Sequence, residues 1–150
     1  MDPQKILMVD DRPENLIALE AVLEGEGREL VKANSGEEAL KLMIKNDFSL
    51  ILLDVQMPGM DGFEVAELAR ANKKIQKVPI IFVTAISKED QYKFRGYEVG
   101  AVDYLTKPID PIIIESKVAF FLDLDKQKRI LEEKIRISRE HIEAYQQSKT

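Results

Sequence analysis

The 150-residue sequence contains no cysteine, no tryptophan and a single histidine, His141. Without cysteine there can be no disulfide and no thiolate metal site. One histidine is too few for a histidine-built zinc centre, and a Ser-His-Asp triad resting on it is implausible. Any chemistry must therefore run on carboxylates, Lys, Ser and Thr. The chain also lacks an excess of positive charge: the formal charge is -5 and the pI about 5.1, which argues against direct nucleic-acid binding. No apolar run approaches the ~20 residues of a membrane helix. The start, Met1-Asp2-Pro3-Gln4-Lys5, has no signal-peptide core, so a cytoplasmic protein is expected.

What is present is a sizeable apolar fraction, 45%, enough for one domain with a core plus an appendage. Its centre is Leu50-Ile51-Leu52-Leu53-Asp54, an apolar run that ends in one carboxylate and is followed by Pro58-Gly59. Such a run bounded by turn signals reads as a strand buried on both faces of a parallel sheet. Four more strand signals flank it: 6–9, a weak one at Leu30-Val31, 79–83 and 102–105. Helical patterns alternate with them. Asp11 is suited to cap the first and Pro13 to its first turn, with Gly25 and Gly27 ending it. Ser35 and Glu38 form a capping-box pattern, Asp61-Gly62 opens a third helix, Ser87 with Asp90 a fourth that Gly100 closes, and Asp110-Pro111 the last. Five βα units predict an α/β fold, a doubly wound, flavodoxin-like parallel sheet of strand order 2-1-3-4-5 with an extended C-terminal helix.

That topology gathers residues distant in sequence. Asp10 and Asp11 follow the first strand, Asp54 ends the third, Thr84 the fourth and Lys107 the fifth, all at the carboxyl edge where such sheets bind ligands. A single Asp after a strand is ordinarily a cap or turn residue, a Lys before Pro ordinarily solvated, and a Thr at a strand end ordinarily a β-former. Placed together they suggest more. Three carboxylates repel unless a cation intervenes, and Mg²⁺, with Mn²⁺ able to stand in, suits an all-oxygen donor set. Asp is also a nucleophile toward phosphorus, with Lys107 and Thr84 fitted to neutralise and hydrogen-bond the transferred group.

The motifs Val9-Asp10-Asp11, Leu53-Asp54-Val55-Gln56-Met57-Pro58-Gly59-Met60-Asp61-Gly62, Val83-Thr84-Ala85 and Gly100-Ala101-Val102-Asp103-Tyr104-Leu105-Thr106-Lys107-Pro108 make the chain resemble a response-regulator receiver domain of two-component signalling, over about residues 4–122. The resemblance implies that Asp54 accepts phosphate from a histidine kinase or a phosphotransfer protein. It implies Mg²⁺ bound directly by Asp11, mainly through water by Asp10, and by Asp54 and the main-chain carbonyl of Gln56. Lys107 would pair with the phosphoryl group, Thr84 would move toward it, and Tyr104 would turn inward in response. Gln56 and Ile86 occupy the positions that in the family flank the phosphoryl group and influence its lifetime. The receiver would then be regulatory and not an enzyme. A phosphatase with an aspartyl-phosphate intermediate would instead look for an acid where Gln56 stands, and a pure dimerisation module would leave Asp54 unmodified.

No Gly or Pro interrupts residues 112–150, so the last helix is expected to run on. The domain reading is a receiver at 1–122 and a helical extension at 123–150. Heptads counted from Phe121 place Phe121, Leu124, Lys128, Leu131, Ile135, Ser138, Ile142 and Tyr145 inward, suggesting a parallel coiled coil and a homodimer. Such a helix would relay the switch to a downstream output domain, and the chain itself shows no DNA-reading motif, nucleotide loop or cyclase signature. Local similarity to receivers attached to histidine kinases, chiefly in Asp11-Arg12-Pro13-Glu14-Asn15-Leu16, favours a segment of a longer protein.

Overall fold

A computed structural model describes residues 2–85 and 103–149. Nine elements alternate along them: β1 Gln4–Val9, α1 Pro13–Leu23, β2 Arg28–Ala33, α2 Gly36–Lys45, β3 Leu50–Asp54, α3 Gly62–Ala71, β4 Ile80–Thr84, β5 Asp103–Thr106 and α4 Pro111–Ser148. The five strands form one sheet of order β2-β1-β3-β4-β5, every pairing parallel, as the alternation predicts. The helix predicted between Ser87 and Gly100, together with Ile86 and Val102, lies outside the described residues.

Side chains on a strand alternate between faces, and the core divides accordingly. Leu7, Val9, Ile51, Leu53, Ile80 and Phe82 point to the face covered by α2 and α3, against Ala39, Met43, Phe63, Val65 and Ala69. Ile6, Met8, Leu50, Leu52, Ile81 and Val83 point to the other face, against Leu16, Leu19 and Leu23 of α1 and Ile114, Val118 and Leu122 of α4. All five residues of β3 are buried, which is why its sequence is apolar without alternation. Burying one such Leu or Ile side chain is worth about 1.5–3 kcal/mol.

Three helix starts follow their sequence signals. Ser35 Oγ accepts the Glu38 amide at 3.2 Å, while the Glu38 carboxylate reaches back to the Asn34 amide. Asp61 Oδ1 caps α3 through the Glu64 amide at 2.9 Å, and Asp110 Oδ1 caps α4 through Ile112 at 2.9 Å. The first helix corrects the sequence reading. Its N-cap is Arg12, with no side-chain cap bond, and Asp11 does not serve there. The Asp11 carboxylate is grouped with those of Asp10 and Asp54 instead. The second strand is also longer than Leu30-Val31, because pairing with β1 over Gln4↔Arg28 to Val9↔Ala33 orders polar residues that pattern alone leaves out.

Candidate functional site

Each acidic residue owes its place to a strand end. Asp10 follows β1, is 2% exposed, and is held from three sides: Oδ1 accepts the Arg12 amide at 2.9 Å, and Oδ2 accepts Asn15 Nδ2 and Lys107 Nζ, each at 3.1 Å. Asp54 closes β3 and is 5% exposed, with the Gln56 amide donating to its carboxylate. Ligand oxygens of Asp10, Asp11 and Asp54 all lie within 4.8 Å of one another. Lys107 reaches in from the end of β5, its Nζ 3.6 Å from Asp54 Oδ1. The Lys107 amide also donates to the Thr84 carbonyl at 2.8 Å, which fixes the lysine's backbone to the end of β4, and the Lys107-Pro108 peptide is cis.

Among the described residues, the single ammonium of Lys107 does not balance three carboxylates. Burial is the largest influence on Asp54 and raises its pKa; Lys107 opposes that, Asp10 adds to it, the Gln56 amide lowers it and Asp11 raises it. The result is a carboxyl pushed up from 3.8 to about 6. A hard divalent cation fits this donor set, since it supplies the positive charge that Lys107 alone cannot.

The structure thus brings Asp10, Asp11, Asp54 and Lys107 together. Thr84 is fully buried at the end of β4, next to them along the sheet edge. Tyr104 is half-buried and packs inward, its ring centroid 5.4 Å from Phe82, which meets Phe63 edge-on at 5.0 Å. Gln56 is exposed.

Two supporting residues gain a role only in the structure: Asn15, and Gly62, which the sequence marks as no more than a helix start. Asn15 steadies Asp10 from one turn into α1. Gly62 opens α3 so close under the strand end that an added Cβ would sit 2.2 Å from the Asp54 carbonyl oxygen, while its amide donates to the Val55 carbonyl at 2.9 Å. The Asp61-Gly62 pair announces the helix start, and the close approach to Asp54 follows only from the packing of that start under β3. Gly59, at φ +74°, makes the turn between them with a backbone that L side chains rarely adopt.

A doubly wound parallel sheet with a carboxylate cluster and one lysine at its carboxyl edge defines the class of a flavodoxin-like phosphoryl or cation site. The response regulator receiver domain family matches residues 6–119, and the chain belongs to that family. It is 39% identical over 130 residues to the transcriptional regulatory protein YvrH of Bacillus subtilis (strain 168), covering 86% of this chain and 53% of that protein. It is likewise 39% identical over 114 residues to the response regulator PleD of Caulobacter vibrioides, covering 76% of this chain and 25% of PleD. The chain therefore spans about half or less of the length of these relatives. Among solved structures, a putative response regulator from Chloroflexus aurantiacus J-10-fl superposes with a TM-score of 0.74 at 37% identity, covering 81% of this chain and 99% of that one. The receiver domain of the sensor histidine kinase PA1611 from Pseudomonas aeruginosa PAO1, solved with a magnesium ion coordinated in its active-site cleft, does so at 0.73 and 27% identity, covering 81% and 98%. Receiver domains are regulatory parts of two-component signalling, work with histidine kinases or phosphotransfer proteins, and bind Mg²⁺ in an acidic pocket. No helix among the described residues is long and apolar enough to cross a membrane.

Proposed function

We propose that this chain is a phosphorylation-controlled switch in which Asp54 accepts a phosphoryl group from the phosphohistidine of a kinase or phosphotransfer protein. The observation that carries the reading is the joint position of Asp10, Asp11 and Asp54, with ligand oxygens within 4.8 Å of one another, and of Lys107, 3.1 Å from Asp10 and 3.6 Å from Asp54, at one sheet edge. An Asp54 carboxylate oxygen attacks phosphorus, the P–N bond to the imidazole breaks, and the imidazole leaves with the electron pair. Mg²⁺ held by Asp11, Asp54 and the Gln56 carbonyl, with Asp10 behind water, would neutralise charge on the transferring oxygens.

Lys107 is positioned to exchange its carboxylate partners for the new phosphoryl oxygens, and the Thr84 hydroxyl to donate to another. Movement of Thr84 would then bias the packing of Tyr104 against Phe82, giving the two-state element that a switch needs. A hollow of about 310 Å³ lined by Asn15, Leu19, Val22, Pro108 and Ile114 lies beside Asp10 and Lys107, and offers the donor's protein a place to dock. The phosphatase alternative asks for an acid where the exposed Gln56 stands.

Residues 1–122 form the receiver in this reading and 123–150 a dimerising extension that relays the change to an output domain. Its support is an exposed apolar stripe: Leu124, Leu131, Ile135, Ile142 and Tyr145 are all 44% or more exposed. Relatives that extend well beyond the matched region are consistent with a downstream domain.

Acetyl phosphate with Mg²⁺, followed by intact-protein mass measurement, should add one phosphoryl group to the parent chain and none to Asp54→Ala. An unmodified parent, or equal labelling of the variant, overturns the proposal. Light scattering on Leu131→Glu with Ile142→Glu should report a monomer where the parent is a dimer.

A further inference from the structure

The other end of the same strands carries a polar cluster that phosphoryl transfer does not use. Gln4 opens β1 and Ser49 immediately precedes β3; they are 3% and 1% exposed. Both are turned onto α4. Gln4 Nε2 donates to the Leu122 main-chain carbonyl at 2.7 Å and to Asp125 Oδ2 at 2.9 Å. Ser49 Oγ donates to the same Asp125 oxygen at 2.7 Å. Arg129 then closes the ring, its Nε 3.0 Å from Asp125 Oδ2 and its Nη2 donating to Ser49 Oγ at 3.0 Å.

Geometry gives this ring a specific effect. Residues 118, 122, 125 and 129 share one face of a helix, so apolar packing through Val118 and Leu122 passes without a break into the polar contacts. A carbonyl inside a helix already accepts an amide four residues on, and a second donor from the sheet ties the helix down at a defined rotation. From Leu131 to Lys149 every residue is exposed, so the ring lies where the helix leaves the domain. At 3.6 residues per turn the stripe through Leu124, Leu131, Ile135 and Ile142 lies about 120° round the helix from the clasped face.

We propose that Gln4, Ser49, Asp125 and Arg129 form a clasp that fixes both the direction and the rotational phase in which the long helix leaves the domain. The extension's first turns then move with the sheet as one body, and the part of the apolar stripe that lies beyond the domain, Leu131, Ile135 and Ile142, is held at a fixed angle around the helix. This inference is independent of Asp54 and is tested without a phosphoryl donor.

Because the chain has no cysteine, Lys41→Cys on α2 and Glu143→Cys on the extension provide the only two labelling sites for nitroxides. Spin-diluted with unlabelled protein, the doubly labelled chain should give one narrow intrachain distance distribution. Asp125→Ala combined with Arg129→Ala should broaden and shift it, while Arg129→Lys, which keeps a charged donor, should retain most of the narrow component. Amide exchange across 123–130 should accelerate at least about fivefold in the alanine pair, with 114–118 unchanged. Arg129→Ala alone, changing a partly exposed side chain, guards against loss of folding, and circular dichroism verifies it. A narrow, unshifted distribution in the folded alanine variants, or a broad one in the parent, overturns the clasp.

Discussion

Strands β1 and β3 carry one polar cluster at each end, and the two are opposites in electrostatic design. At the carboxyl end, the carboxylates of Asp10, Asp11 and Asp54 face one lysine among the described residues, and burial drives the central acid to a pKa of about 6. At the amino end, one carboxylate, Asp125, receives an amide, a hydroxyl and a guanidinium. The first cluster is short of positive charge and hence open to a cation and an incoming group; the second is satisfied within the chain and hence suited to holding. A deficit of partners marks the site where something binds, and a surplus of satisfied bonds marks the site where something is fixed.

The comparison can be broken by mutation. The largest expected effect is Gly62→Ala at the carboxyl edge. The 2.2 Å approach to the Asp54 carbonyl allows no Cβ, so the α3 start must shift. Urea denaturation should show a loss of about 3 kcal/mol.

Next is Asp125→Ala at the amino edge. It leaves the Gln4 and Ser49 donors buried without their carboxylate, and denaturation should show a loss of about 2 kcal/mol.

Asp54→Asn should act in the opposite direction. The folded-state pKa of Asp54 is raised to about 6, so its proton-linked stability is present below 3.8 and is lost as pH rises through 6. Above pH 6 the charged acid opposes folding, and the neutral variant should be more stable by roughly 1–2 kcal/mol in chelator, the gain vanishing below pH 4. Mg²⁺ should reverse the ranking by stabilising the parent alone, and isothermal titration should find its affinity falling as pH drops below 6. A stabilising Asp125 variant, or a destabilising Asp54→Asn in chelator, would erase the distinction between the two ends.

The smallest effect is expected from Arg136→Ala on the extension. Its pairs with Glu133 and Glu140 are solvent-exposed, and the denaturation midpoint should not move measurably.

How far these ends were legible in the sequence follows from how local their signals are. The run Leu50 to Asp54 and the strand signals around it predict the sheet, since a parallel strand writes its burial directly into its composition. Asp10, Asp11, Asp54 and Lys107 lie close to turn-forming Pro or Gly, so each announces a strand end, whereas Thr84, followed by Ala85 and Ile86, is marked only by the apolar run before it. The clasp has no such marker: Gln4 and Asp125 are 121 positions apart, Ser49 and Asp125 76, and none is unusual in its local context. The i,i+4 spacing of Asp125 and Arg129 suits a helical ion pair, but the turn of both toward Ser49 follows only from the packed helix. Phe121 shows the same limit. Counted as the first inner position of a heptad, it also packs on the domain's own core, so in the structure the domain shares the position with the extension. Asp11 fits two roles in the sequence, a helix cap and a member of the carboxylate cluster, and only the second is realised, because the helix begins one residue later with Arg12 at its N-cap.

The unbroken length of α4 has a mechanical consequence. From Arg129 to Ser148 the helix spans 19 residues beyond the clasp, about 29 Å at 1.5 Å per residue. With the proposed clasp as its fulcrum, it would act as a lever pivoting at the amino edge of the sheet. A tilt of about 5° at the fulcrum would carry the tip through about 2.5 Å, half a helical turn's rise. In the relay proposed above, displacements too small to disturb the core are enlarged along the helix before they reach its tip.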